Sequence, residues 1–288
     1  MSVHSFRAVA FVFMFALACS FSGTLDAMSW PTEDAPLIKN FGYNNMGMPV
    51  LGMVFAGNTQ VLAVEKGEVI FSRSEGDTAS RLPSPLGAWT AIDHGDGLIS
   101  IYSRCADEIQ VNTQVEKEQP IASSGVSGWS AQNGFYFVIY DRRERRWINP
   151  AMIITPQRET RSQQIPVVEL LNAQGLPVQS RNLTQGRYTV LVNTEGVPPR
   201  GTQIAPQRIT CLVNGAEAGS LNFEAVSARD GVMMVYRNGL VPAKQIYANF
   251  PAFETAEVFL NRGQINLEVI VQDIAGNSRS VTNRLVVN

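Results

Sequence analysis

The sequence predicts an all-β chain built in two units. Three observations carry that prediction. Short apolar runs of strand length alternate with Gly, Asn, Asp and Pro turns along most of the chain. The first half holds no 3.6-residue apolar stripe of useful length. Residues 155–166 (TPQRETRSQQIP) are polar, Pro-flanked and aperiodic, the pattern of a linker between two packed units. With 288 residues, the chain has room for about two domains.

The N-terminus predicts an export signal over residues 1–27. Arg7 supplies the positive start, Ala8 to Ala18 form an apolar stretch too short to span a bilayer comfortably, and small residues follow. Cleavage is expected after Ala18 or after Ala27. Cys19 offers a second option, lipidation of the first mature residue. Its leucine stands one place nearer than a standard lipobox requires, and that lipid would be the chain's one route to a membrane.

Residues 31–60 are rich in Gly, Asn and Met. From Thr59 onward, strands are predicted at Val61–Val64, Glu68–Phe71, Trp89–Ile92 and Leu98–Tyr102, with Asp96-Gly97 as a hairpin turn. Phe135–Tyr140 (FYFVIY) is a continuous apolar run suited to burial on both faces. Beyond the linker, strands are predicted at Val167–Leu171, Arg187–Val192, Arg208–Val213, Leu221–Val226, Gly231–Tyr236, Leu267–Val271 and from Arg284, spaced as in a β-sandwich. The strand, Asp273-x-x-Gly276-Asn277 turn and final strand resemble the last hairpin of bacterial immunoglobulin-like envelope domains. In that turn Asp is the cap, and Gly-Asn tolerates positive φ.

Composition narrows the function. Hydrophobic residues make up 45% and charged residues 17%, so an ordinary core forms. The net charge of −2, with no basic motif, argues against nucleic acid as a partner. Cys105 and Cys211 remain after processing, in different halves and both in strand-like runs. They are expected as buried apolar thiols, with a bridge as the alternative that an oxidising compartment permits.

Several segments in order resemble the M23 (LytM or lysostaphin-like) zinc endopeptidases of peptidoglycan, over about residues 38–154. They are Phe41-Gly42-Tyr43-Asn44, then Gly57 through Gly67-Glu-Val-Ile, then Ile92-Asp-His94-Gly-Asp-Gly97 with Ile101-Tyr102. After these come Val115, Gln119-Pro-Ile121, Ser124-Gly125-Val-Ser-Gly128 and Trp147-Ile148-Asn149-Pro150. The resemblance implies a β-sheet peptidase domain over residues 31–154; the strand spacing and closing hairpin above give an immunoglobulin-like sandwich over 167–288.

The same resemblance implies a zinc site made by a His, an Asp four residues later and the second His of a His-x-His strand, with further His as catalytic helpers. Here those positions fall at Val50, Val54, Arg104, Phe135 and Phe137. None is equivalent, so no zinc, no catalytic residue and no cofactor are expected. His94 is the one histidine beyond the signal segment; it matches a non-ligand turn position and is expected to bond within its own loop. The four replaced positions Val50, Val54, Phe135 and Phe137 predict an apolar groove floor, either filled in or still able to bind a peptide by apolar and edge-strand contact.

The Asp141-Arg-Arg-Glu-Arg-Arg146 segment predicts an exposed hairpin tip. Arg142, Arg143, Arg145 and Arg146 there, together with Arg104 and Trp129, are candidate anion or groove residues, the bland alternative for the tip being a solvated turn. Trp129 and Trp147 are expected to border the groove or to serve as packing. The expected function is a non-catalytic exported protein that binds peptidoglycan or a wall-processing partner. The alternatives are an active zinc endopeptidase and a purely structural envelope protein.

Overall fold

The computed structural model describes residues 27–74, 83–106, 113–154, 165–194 and 204–288. The expected signal segment up to residue 26, Cys19 within it, and residues 155–164 of the expected linker lie outside the described residues.

Apolar runs become strands where the turn signals bracket them. The first half contains β1 (Leu37–Lys39), β2 (Asn44–Asn45), β3 (Met48–Pro49), β4 (Met53–Ala56), β5 (Gln60–Leu62), β6 (Gly67–Arg73), β7 (Ala88–Asp93), β8 (Leu98–Cys105), β9 (Gln114–Val115), β10 (Pro120–Ser123), β11 (Gly134–Asp141) and β12 (Arg146–Ile148). The second half contains β13 (Val167–Leu171), β14 (Pro177–Val178), β15 (Asn182–Leu183), β16 (Gly186–Asn193), β17 (Arg208–Val213), β18 (Ala216–Arg229), β19 (Val232–Arg237), β20 (Leu240–Pro242), helix α1 (Ala243–Tyr247), β21 (Phe253–Leu260), β22 (Gly263–Gln272) and β23 (Ser278–Val287). Among the described residues the fold is all-β apart from α1 and one 3₁₀ turn at Pro150–Met152.

The strands of the first half order as β9-β6-β7-β8-β11. At its start β11 pairs with β4, which pairs in turn with β1, and at its end it pairs with β12. The core beneath this sheet is aromatic. Met53, Phe55, Ile92, Tyr102, Phe135, Phe137 and Ile139 are all essentially inaccessible to solvent. Phe55 stacks on Phe135 at 4.7 Å between centroids, and Tyr102 meets Phe137 at 5.2 Å. Burial of each such ring contributes about 2–3 kcal/mol. The Tyr102 hydroxyl, the polar end of this core, accepts a hydrogen bond from the Val64 amide at 2.9 Å, which removes the desolvation penalty of an unpaired group.

The second half is a two-layer sandwich. Sheet β14-β13-β16-β21 faces β18-β17-β22-β23 across a core that includes Val190, Val192, Ile209, Cys211, Leu221, Leu260, Val269 and Val271. The closing turn behaves as its residues predict. Asp273 accepts from the Asn277 amide at 2.8 Å and Gly276 sits at φ 86°. Strand β21 and helix α1 are elements that the sequence patterns had not singled out.

The halves are fused more closely than a linker between separate units implies. β12 pairs antiparallel with β18, Trp147 opposite Val226, so one continuous sheet crosses from the first half to the second. Phe41, Tyr43 and Val50 of the first half are buried in the core of the second. Asn149 pins the seam: its backbone amide donates to the Glu224 carbonyl at 2.8 Å, and its side-chain amide donates to the Phe223 carbonyl at 2.9 Å. The Tyr247 hydroxyl of α1 reaches the Gly42 carbonyl at 2.8 Å. Cys105 and Cys211 lie in separate cores, both as buried free thiols.

Candidate functional site

The sheet formed by β1, β4, β11 and β8 has two faces, and pairing register decides which side chains share each. Lys39 stands opposite Val54, Val54 opposite Tyr136, and Tyr136 opposite Ser103. Cross-strand partners point to one face, so these four residues form a row. Phe135 is opposite Phe55, and Phe137 is opposite both Met53 and Tyr102; that row points to the aromatic core.

This corrects the expected groove floor. Ligands of one metal must converge, so the matching positions must share a face. Val54 shares its face with Tyr136, with Val138 the next residue along β11 on that side, whereas Phe135 and Phe137 point the opposite way. In a strand a one-residue slip flips every side chain to the other face; the FYFVIY run, apolar at every position, holds nothing to fix that register. The corrected set is Val50, Val54, Tyr136 and Val138, with Arg104. Tyr136 and Val138 escaped the sequence reading; the alternation Met53-in, Val54-out, continued across the β4–β11 pairing, is the signal that finds them.

Local features hold the set in place. Gly52, between Val50 and Val54, lies so close to the Phe137 carbonyl that a Cβ there would collide with it. The Leu51 amide donates to the Tyr136 hydroxyl at 3.0 Å, which ties the Val50–Val54 segment to β11. Burial pushes the Tyr136 phenol up to about 12. One end of the face is covered: Val50 is buried in the second half's core, and Leu51, Val54, Tyr136 and Trp147 pack against it.

A zinc ion does not fit this set. Val50, Val54 and Val138 carry no donor atom, and the Tyr136 oxygen already accepts the Leu51 amide. Among the described residues no group of three or more His, Cys, Asp or Glu is placed to hold a metal. His94 is well removed in role: its Nδ1 bonds the Lys66 carbonyl at 2.9 Å and its Nε2 bonds Ser100 Oγ at 2.7 Å, so its contacts reach a neighbouring turn and strand rather than only its own loop. Burial lowers its pKa.

The open end of the face belongs to Arg104. It sits at φ 64°, a left-handed conformation that ends the regular alternation of β8. Its guanidinium carbon lies 5.3 Å from the centre of the Tyr136 ring, and its Nε is buried without a hydrogen-bond partner among the described residues. Its amide donates to the Leu86 carbonyl at 2.7 Å, and the Trp129 amide donates to the adjoining Pro85 carbonyl at 3.1 Å. The turn at residues 85–86 thus anchors both Arg104 and Trp129, a residue 81% exposed.

The other candidates lie elsewhere. Trp147 meets Tyr140 in a tilted ring contact, 5.7 Å between centroids, in the seam with β18. The arginine tip sits at the opposite end of β8 and β11, about six residues or roughly 20 Å from Arg104. Its charges are largely met: Arg142 pairs with Asp93 at 3.4 Å, Arg143 with Asp96 at 3.3 Å and Arg146 with Asp141 at 3.5 Å. Arg145 occupies the turn at φ 54°. Arg104 and the tip arginines are therefore two separate features.

Comparison with known proteins agrees with the M23 resemblance of the first half. Residues 50–150 match the sequence profile of Peptidase family M23, and a separate family profile matches residues 168–288. An uncharacterized protein of Treponema pallidum (strain Nichols) is 26% identical over 142 residues, 44% of this chain and 95% of the relative. Among solved structures, the SpoIIQ–SpoIIIAH pore-forming complex matches 46% of this chain and 92% of its own at 22% identity and TM-score 0.36. A catalytic-domain variant of the prophage-encoded M23 protein EnpA from Enterococcus faecalis matches 42% of this chain and 93% of its own at 22% identity and TM-score 0.34. Lysostaphin from Staphylococcus simulans matches 90% of this chain and 91% of its own at 14% identity and TM-score 0.35.

Proposed function

We propose that this chain is a non-catalytic, exported envelope protein whose M23-like half binds peptidoglycan or a wall-processing protein instead of cutting peptide bonds. The observation that carries this reading is the face bearing Val50, Val54, Tyr136 and Val138. It offers packing surface where the chemistry of the resembled family needs a metal and a polarised water. The second half, read as an immunoglobulin-like module, serves as a spacer or docking element. Its fusion to the first half through β12 and β18 favours a rigid unit, which also supports the competing reading of a purely structural envelope component.

Incubation of the full mature chain with purified cell walls tests the proposal. Saturable binding without release of soluble wall peptides supports it. Chelator-sensitive release of wall peptides overturns the non-catalytic reading, and absence of wall binding together with failure to capture any wall-processing protein leaves the structural reading in its place.

A further inference from the structure

Two cations flank the Val54–Tyr136 row, one from each side. Lys39 and Tyr136 flank Val54 in one cross-strand row, and Arg104 follows Ser103 of the same row. The left-handed turn at Arg104 lets its guanidinium lie over the Tyr136 ring instead of continuing the strand's alternation. Lys39 Nζ is held by the Asn45 Oδ1 acceptor at 2.9 Å and lies 5.8 Å from the centre of the Tyr43 ring. Both cations are thus oriented by neutral groups, an aromatic face and an amide.

Among the described residues neither Lys39 nor Arg104 has a carboxylate within ion-pairing distance, in contrast with the arginine tip, where Arg142, Arg143 and Arg146 each have one. Arg104 Nε is buried with no acceptor among the described residues, a costly arrangement unless an acceptor arrives. Burial, and then the charge of Arg104, lower the pKa of Lys39, so the two like charges sense each other. The rim is apolar and exposed: Met46 at the β2–β3 turn is 89% exposed and Trp129 is 81% exposed.

We infer that Lys39 and Arg104 form a carboxylate-binding site for a peptide, with the carboxylate between the two cations and flanking apolar groups against Met46 and Trp129. A guanidinium fork suits a carboxylate, and a partly dry setting strengthens the charge-assisted bond. The inference rests on the non-catalytic reading above and specifies what the face would bind.

The test uses the full mature chain and calorimetric titration with three probes: an N-acetylated alanyl dipeptide with a free C-terminal carboxylate, the same dipeptide as its amide, and N-acetyl-aspartyl amide, which carries only a side-chain carboxylate. The expected result is saturable binding of at least one carboxylate probe, with the neutral amide weaker by about tenfold or more. Which carboxylate binds better tells a peptide terminus from an acidic side chain. Lys39→Gln and Arg104→Gln should each weaken the favoured probe by about tenfold, while Arg143→Gln at the far tip leaves it unchanged. Arg104→Lys retains the charge and guards against a folding defect in Arg104→Gln. Equal binding of acid and amide, no saturation by either acid, or unchanged affinity in Lys39→Gln overturns the carboxylate site. None of those outcomes produces zinc binding or wall hydrolysis, so failure here is distinguishable from failure of the non-catalytic reading.

Discussion

The two faces of the β1–β4–β11–β8 sheet have met different demands. The inner face carries Met53, Phe55, Tyr102, Phe135 and Phe137, closed over by their own aromatic contacts. The outer face carries Lys39, Val54, Ser103, Tyr136 and Val138; the second half covers one end of it, and Arg104, which has no carboxylate partner among the described residues, lies over the Tyr136 ring. The inner face therefore answers to packing alone. The outer face combines a domain seam with a half-open polar site, and function has to be sought there.

Substitutions separate the faces by size of effect. Phe137→Ala empties part of the inner core, and the expected cost is about 3–5 kcal/mol in chemical denaturation; a loss below about 1 kcal/mol would mean that the residue does not lie in a close-packed core. Asn149→Ala removes the buried bond to the Phe223 carbonyl at the seam, with an expected cost of about 1–3 kcal/mol. Because the seam couples the halves, the variant should also broaden or split the unfolding transition, and a single unshifted transition would show that this bond does not hold the seam. Tyr136→Phe leaves the Leu51 amide without its acceptor, for an expected loss of about 1 kcal/mol, well below that of its inward neighbour.

The smallest expected signal is chemical. Burial pushes the Cys105 and Cys211 thiols up to about 12, so both stay protonated and unreactive at pH 8. Alkylation followed by peptide mass mapping should find both unlabelled in the native chain and both labelled in denaturant. The shift also has a sign in stability. The unfolded thiols ionise near pH 8.5, before the folded ones, so this contribution is intact below that pH and declines as pH rises from about 9 towards 12. Rapid native labelling of either cysteine would place it outside its core.

The sequence made much of the strand pattern legible because alternation and turn residues are local signals: Asp96 at φ 48° and Asp273 capping its hairpin follow from their own chemistry. Helix α1 escaped because five residues are too few to display a helical period. The alternation in Phe253–Leu260 was present, with Glu254 and Glu257 outward of the most buried residues, but it follows a Pro-containing turn and a bulge interrupts its register against β16. The residue types at Val50, Val54 and Arg104 were readable residue by residue. The facing of β11 was not, since FYFVIY is apolar at every position and only its pairing with β4 sets the register. The β12–β18 seam was likewise silent, because nothing local in Arg146–Ile148 encodes a partner some eighty residues away.

The most direct test of the central claim is the zinc content of the purified mature chain, measured by elemental mass spectrometry after incubation with excess zinc and removal of unbound metal. The account predicts far less than one zinc per chain, and no change when Val54 or Tyr136 is replaced by alanine. One zinc per chain, lost on those replacements, would contradict it and return the outer face to metal chemistry.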